Sequence, residues 1–246
     1  MNLLSSRLYH IQLIFINLFI LNITRGVPIQ NEDKASLNIE NICPRIINRN
    51  EWGAKNATSQ YENLKIIPTP YVVIHHGGIL HYCYDQNGCS EIVRSYQDLH
   101  INTNKWIDIG YNFVIGEDGN VYEGRGWNFR GAHAPGYNTQ SIGISIIGDF
   151  SHFIPNVGAL RALDALIACG IALKKINKNY AVIGHRQGRN TVCPGEVFYN
   201  YVMTMPRWTS NPIPVYDSLK PNLTVINNQL QEDIVSNNKI ITLNYV

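Results

Sequence analysis

Apolar positions along this chain recur at two spacings. Short runs with alternating or continuous apolar character mark strands: Tyr71 to Ile74, Ile109 to Ile115, Val121 to Glu123, Ser141 to Ile147 and Tyr180 to Ile183. In the second run Ile109, Tyr111, Phe113 and Ile115 share one face. Glu117-Asp-Gly-Asn120 separates it from the third, and an Asp-Gly pair there predicts an antiparallel hairpin. Other stretches repeat at helical spacing. Ser90 to about Asn102 carries Ile92, Tyr96, Leu99 and His100 on one face, with Ser90 as the cap. Ala159 to Lys175 carries Leu160, Leu163, Leu166, Ile167, Gly170 and Ile171, and closes on Lys174 and Lys175, where the helix dipole favours cations. Pro194-Gly195 opens a short helix through about Met203, with proline in the tolerated first turn. Pro68 and Pro70 keep the segment from Ile66 extended ahead of the first strand. Strands and helices are interspersed and one strand pair is antiparallel. That predicts an α/β fold with a single central mixed β-sheet flanked by helices.

The ends of the chain break both patterns. Arg7 precedes an Ile-, Leu- and Phe-rich run from Ile11 to Ile23, interrupted by Gln12, Asn17 and Asn22. It is shorter than the ~20 residues of a membrane span, so 1–26 reads as a secretory signal peptide cut near Gly26. Residues 27–42 are mostly polar and read as a lead-in. The folded domain is expected over 43–208. Residues 209–246 contain prolines and many asparagines without a firm period, and read as a flexible tail outside the domain. The chain is therefore expected to be secreted and extracellular, with no stable membrane insertion once the signal is removed. The sequons Asn56-Ala-Thr58 and Asn222-Leu-Thr224 fit a secreted glycoprotein. A formal net charge of +2, with no basic run, gives no argument for nucleic acid as a partner.

Cys43, Cys83, Cys89, Cys169 and Cys193 are an odd set, so in an oxidising compartment one thiol is unpaired or holds a metal. Cys83 and Cys89 flank the turn-like Tyr84-Asp-Gln-Asn-Gly88, which allows a local bridge. Cys43 and Cys169 would then form a long-range staple and leave Cys193 free. Other pairings stay open at this level.

Candidate chemistry sits at strand ends. The strand Tyr71 to Ile74 ends in His75, followed by His76. The run Tyr180 to Ile183 stops at Gly184, and His185 follows at once. Cys193 comes eight residues later, pinned by Pro194 and Gly195. Zinc takes imidazole nitrogen and thiolate sulfur readily, and a catalytic site needs three protein ligands plus a water. There is no glutamate placed as in a His-Glu-x-x-His protease.

With these residues in view, the chain resembles the peptidoglycan recognition proteins of animals, of the insect type, relatives of phage and bacterial zinc amidases. The matching text is Cys43-Pro44, Glu51-Trp-Gly-Ala54, Tyr71-Val-Val-Ile-His-His76 and Trp106-Ile-Asp-Ile-Gly-Tyr-Asn-Phe-Val-Ile-Gly116. It continues with Val121-Tyr-Glu-Gly-Arg-Gly-Trp127, Gly131-Ala-His133, Gly136-Tyr-Asn138, Ser141-Ile-Gly-Ile-Ser145 and Gly184-His-Arg-Gln187 through Cys193-Pro-Gly195. The resemblance covers about Cys43 to Trp208.

It implies the zinc amidase fold, with Zn2+ on His75, His185 and Cys193, and with Tyr111 and Thr191 as catalytic residues. The family has a branch that hydrolyses the amide between the lactyl group of N-acetylmuramic acid and L-alanine. A second branch has lost the metal and only binds. Non-catalytic members typically replace the thiolate, so Cys193 favours N-acetylmuramoyl-L-alanine amidase activity. The alternative is a non-catalytic receptor that signals through partner proteins. Either way the expected partners are bacterial peptidoglycan and muramyl peptides, met by a monomer in innate immunity. Arg125, Gly126 and Trp127 match members that prefer meso-diaminopimelate peptides, where a guanidinium can pair bidentately with the extra carboxylate. His76, His100, His133 and Asn138 match positions at the substrate groove. The chain departs from the family at Gly77-Gly78, where relatives more often carry a hydroxyl residue, and at Asn104, where some carry arginine.

Overall fold

The computed structural model describes residues 42–215. The expectations for the signal peptide, for the lead-in up to residue 41 and for the tail from residue 216 lie outside the described residues. Six strands form one sheet: β1 (Ile46–Ile47), β2 (Thr69–His76), β3 (Phe113–Ile115), β4 (Val121–Glu123), β5 (Ser141–Ile146) and β6 (Ile176–Gly184). Their order across the sheet is β1-β4-β3-β5-β2-β6. Among the described strands only the β3–β4 pair is antiparallel; its partners run Phe113 to Glu123 and Ile115 to Val121, around the Asp-Gly turn. Among the described residues three α-helices accompany them: α1 (Gln86–Asp98), α2 (Val157–Ala172) and α3 (Glu196–Val202).

Alternation along the strands assigns the two faces. Val72 and Ile74 of β2 join Ile142, Ile144, Phe113 and Ile115 in a core with Leu163, Leu166 and Ile167 of α2 and Phe198 and Val202 of α3. Each fully buried aliphatic side chain contributes about 1.5–3 kcal/mol relative to exposure. On the opposite face, Val114 and Tyr122 pack with Cys89, Val93 and Tyr96 of α1. Tyr71 and Val73 pack there with Ile183 and with Ala134 and Tyr137 of the loop ahead of β5. Both sides of β2 are thus covered, so β2 has no polar face. His75 continues the Tyr71–Val73 face and emerges at its end.

Several boundaries differ from the sequence expectation. Helix α1 starts before Ser90, inside the segment expected to be a turn. Asp85 caps it by accepting from the Gly88 N–H at 2.9 Å, and Ser90 is buried within it. Its buried stripe is Cys89, Val93, Tyr96 and Gln97, whereas Leu99 is exposed. After Asp98 the helix widens into a π-turn, Leu99–Thr103, which turns His100 inward. The strand expected from Ile109 begins only at Phe113. Helix α2 ends at Ala172, because Lys174 turns the chain at φ 55° toward β6. The last helix excludes Pro194. Gly195 precedes it at φ 94°, where an added Cβ would sit 2.4 Å from the Phe150 carbonyl carbon, so only glycine fits.

The expected bridges are present: Cys43–Cys169 joins the start of the domain to α2, and Cys83–Cys89 closes the first turn of α1. Cys193 is the free, buried thiol among the described residues. The chain stays on the domain past Trp208. Thr209 N–H donates to Val182 O at 3.2 Å, and the Tyr137 and Tyr71 hydroxyls donate to the carbonyls of Pro212 and Ile213 at 2.9 and 2.7 Å. Among the described residues no helix is long and apolar enough to cross a membrane.

Candidate metal centre and groove

The three expected donors meet. His75 is the penultimate residue of β2, His185 follows the end of β6, and Cys193 stands on the loop before α3. One ligand atom from each lies within 4.8 Å of the others. His75 Nδ1 is 3.7 Å from Cys193 Sγ. Zinc bonds of about 2.0 and 2.3 Å at a tetrahedral angle separate nitrogen and sulfur by about 3.5 Å, so this pair fits one edge of such a site. Nε2 of His185 is buried without a partner in the protein. The donor set, two imidazoles and one thiol, is that of a tetrahedral metal site with one position left over, and the His75–Cys193 edge already has the length such a site needs.

Electrostatics point the same way. Burial, then the neighbouring His185, His133 and His76, holds His75 well below the ordinary imidazole value. Burial and then Arg189 lower His185 to about 4. Both imidazoles are therefore neutral at pH 7, the form that ligates metal. Burial pushes the Cys193 thiol up to about 12, although the His76 N–H, 3.4 Å from Sγ, and Arg186 oppose this. A bound cation supplies the charge that would hold Cys193 as a thiolate.

Arg186 clasps the cysteine loop. Its backbone N–H donates to Cys193 O at 3.0 Å, its Nη2 donates to Val192 O, and its guanidinium stacks 4.7 Å over the Tyr199 ring. Thr191 also shapes the loop, because its hydroxyl oxygen accepts from Cys193 N–H at 3.3 Å. Its own proton is left to donate elsewhere. The Tyr111 ring lies 5.2 Å from that of His75. Burial first, then the nearby Cys193 sulfur, raises its phenol above the ordinary tyrosine value, so it stays protonated.

The other expected residues divide. Asn138 lines the groove, and its carbonyl oxygen accepts from the N–H groups of His133 and Ala134, both at 2.8 Å. Arg125 reaches the groove too, on a buried stem. It donates to Ile109 O at 2.7 Å, Arg130 O at 2.8 Å and Asp108 O at 3.4 Å, which engages three of its five N–H groups. Trp127 does not face the groove. It packs on Phe113 at 4.4 Å and crowds Gly170 of α2, on the other side of the sheet. Gly126 holds the turn between them at φ 67°, and its carbonyl accepts from Asn112. His76 is buried behind the centre, its Nδ1 accepting from Phe150 N–H at 3.2 Å. His100 accepts from Gly110 N–H at 3.0 Å and lies on Trp106 at 4.7 Å, a packing role that its helical spacing also allowed. His133 has both ring nitrogens engaged inside the protein, with His75 and with Ser141.

A cavity of about 330 Å³ is lined by Trp106, Arg125, Arg130, Ala132 and Asn138, among others. A second, of about 290 Å³, shares Trp106, Ala132 and Asn138 with it and continues to His133 and Arg189. Together they form a groove whose inner end, at His133 and Arg189, lies against His75 and His185; of the three donors His185 is the least buried. Sequence reasoning missed Trp106 and Arg186, which carry no periodic or spacing signal of their own. It also missed Asp108. This fully buried carboxylate accepts from Arg49 at 2.6 Å, Gln97 at 2.7 Å and its neighbour's N–H at 2.6 Å, and fixes the groove floor under Arg125.

Residues 66–196 match the family model described as N-acetylmuramoyl-L-alanine amidase. Peptidoglycan-recognition protein SA of Drosophila melanogaster is 41% identical over 170 residues, covering 69% of this chain and 82% of that protein. The N-acetylmuramoyl-L-alanine amidase of Sus scrofa is 40% identical over 174 residues, covering 70% of this chain but only 29% of that enzyme. A solved structure of peptidoglycan recognition protein-LE in complex with tracheal cytotoxin, a monomeric diaminopimelic acid-type peptidoglycan, superposes with a TM-score of 0.65. It is 36% identical and covers 70% of this chain and 98% of that one. By fold, by motif order and by these likenesses, the chain belongs to the peptidoglycan recognition protein family, with its N-acetylmuramoyl-L-alanine amidase-type domain.

Proposed function

We propose that this protein is a secreted, zinc-dependent N-acetylmuramoyl-L-alanine amidase that binds peptidoglycan of the meso-diaminopimelate type and cleaves the lactyl–L-alanine amide. One observation carries this reading: His75, His185 and an unbridged Cys193 converge within 4.8 Å beside a groove. A binding module needs the groove but not these donors. Two disulfides support an extracellular setting, where a monomer would act on bacterial fragments in innate immunity.

Zinc in this site would supply Lewis acidity toward the amide carbonyl and toward water. The chain's own groups do the rest. Tyr111 keeps its proton, so its O–H donates to the scissile carbonyl oxygen as that oxygen gains charge. Thr191 offers a second O–H from the cysteine loop. Trp106 and Asn138 wall the groove that orients the muramyl peptide. Arg125 keeps two N–H groups for the carboxylate that distinguishes diaminopimelate from lysine.

The test uses the zinc-loaded full chain and a diaminopimelate-type muramyl peptide in 18O-water, read by mass spectrometry. Release of a stem peptide with a free L-alanine amine, and one label on the lactyl carboxylate, is expected. Cys193→Ser should release none. If the wild type binds the peptide and releases nothing, the protein is a peptidoglycan-sensing receptor that signals through partners, and the enzyme reading falls.

A further inference from the structure

The buried contact between two histidines defines where the metal-facing lone pair of His75 comes from. His75 Nε2 lies 3.0 Å from His133 Nδ1, with the rings edge to face at 86°. One of the two must donate. On the far side of His133, Nε2 lies 3.5 Å from Ser141 Oγ. The Ser141 hydroxyl has one hydrogen, and it goes to the Tyr137 carbonyl at 2.8 Å, an acceptor that cannot donate back. Ser141 therefore offers His133 only a lone pair. His133 answers with Nε2–H, which leaves its Nδ1 bare, and His75 must then donate from its own Nε2. The nitrogen left without hydrogen on His75 is Nδ1, the one 3.7 Å from Cys193 Sγ. The reverse arrangement would set two lone pairs face to face at Ser141 and put a hydrogen on Nδ1, where a metal has to bind.

The surroundings hold the His133 ring to this task. It lies between Gly131 and Gly143, where an added Cβ would come within 2.3 and 2.4 Å of its Cδ2. Its backbone N–H is pinned by Asn138 Oδ1 at 2.8 Å. Two glycines flanking one imidazole, on a loop and on the central strand β5, form a cradle that even alanine would fill.

We infer that Ser141 and His133 are positioning residues: a hydrogen-bond relay from the Tyr137 carbonyl through Ser141 and His133 fixes the tautomer of His75 and keeps its Nδ1 bare for metal. The consequence for metal affinity rests on the centre proposed above; the tautomer assignment does not. Neither residue needs to touch substrate for this. Outer-shell partners of this kind typically change metal affinity by ~10–100-fold.

The test is long-range 1H–15N correlation NMR on the full chain with 15N-histidine, zinc-free at neutral pH, with signals assigned by single His→Gln variants. His75 and His133 should both appear as the Nε2–H tautomer. If either carries its hydrogen on Nδ1, the relay is wrong whatever the protein does with zinc. Ser141→Ala should mix the two tautomers of His133 and weaken zinc about tenfold in chelator competition, and Ser141→Thr, which keeps the hydroxyl, should restore both. A Ser141→Ala chain with a single unchanged tautomer and unchanged zinc affinity overturns the proposal. A wild type with both tautomers as assigned but no zinc binding would sink the metal centre and leave the relay standing.

Discussion

His100 makes the domain sensitive to acid in a way that can be worked through. Its ring is only 7% exposed, lies on Trp106 and uses Nδ1 to accept from Gly110 N–H. Burial, and then the Arg125 guanidinium, lower it to about 4; Asp108 opposes weakly. In the unfolded chain it titrates at about 6.5. Between these values the unfolded chain binds the proton and the folded one does not. Stability therefore rises with pH through this window, and is lost as pH falls from about 6.5 toward 4. Each pKa unit is worth about 1.4 kcal/mol, so the loss from this residue is about 2 kcal/mol at pH 5 and approaches about 3 kcal/mol below pH 4. Against a total of roughly 5–15 kcal/mol for a domain, that is a measurable share. His100→Asn keeps an acceptor near Gly110 N–H and removes the titration. The variant should start about 1 kcal/mol less stable, for lack of the aromatic contact, but lose less on acidification. The assay is urea unfolding from pH 7 to 4.5 on zinc-free wild type and variant. The difference between the two curves should shift by about 2 kcal/mol in favour of the variant, so that they cross on acidification. Parallel curves would refute the buried, neutral state assigned to this histidine.

Three further outcomes follow from the structure. The Cys43–Cys169 bridge spans 126 residues and Cys83–Cys89 spans 6. Loop-closure entropy then gives about 5 and about 2 kcal/mol, so replacing the first pair by alanines should lower the unfolding midpoint more than replacing the second; the reverse order would contradict it. Tyr111→Phe should keep zinc and peptide binding but lower kcat by ~10²–10³, the usual loss for one oxyanion donor; an equal rise in KM with kcat unchanged would place the hydroxyl in binding instead. Arg125→Lys keeps the charge but not the fork, and should cut processing of diaminopimelate peptides about tenfold more than that of lysine peptides. Equal losses on both substrates would remove the specificity claim.

The fold class and the meeting of His75, His185 and Cys193 were legible because they rest on strong local patterns. Continuous apolar runs end in His75 and His185, and the odd cysteine count with a plausible Cys83–Cys89 bridge left Cys193 as a candidate for the unpaired thiol. What was not legible depended on tertiary contacts. The Ile109–Phe113 alternation read as a long strand, yet Asp108 and Asn112 are buried as well, and Arg125 and Gly143 engage the backbone there. Helix α1 began early because Asp85, inside an apparent turn, found a capping partner. Trp127 looked like a groove residue by its place in a motif, but its ring fills space over Gly170. His133 looked like a substrate contact, and only its distances to His75 and Ser141 show it at work inside the protein. Periodicity reports which face is buried; it does not report which polar atoms meet across it.

The most direct test of the catalytic claim is a titration of zinc into the metal-free full chain, with zinc per chain and stem-peptide release measured on the same samples. Release should rise in proportion to bound zinc and level off at one ion per chain, and Cys193→Ser should bind little and release nothing. Full release from the metal-free chain, or none from a chain carrying one zinc, would contradict it.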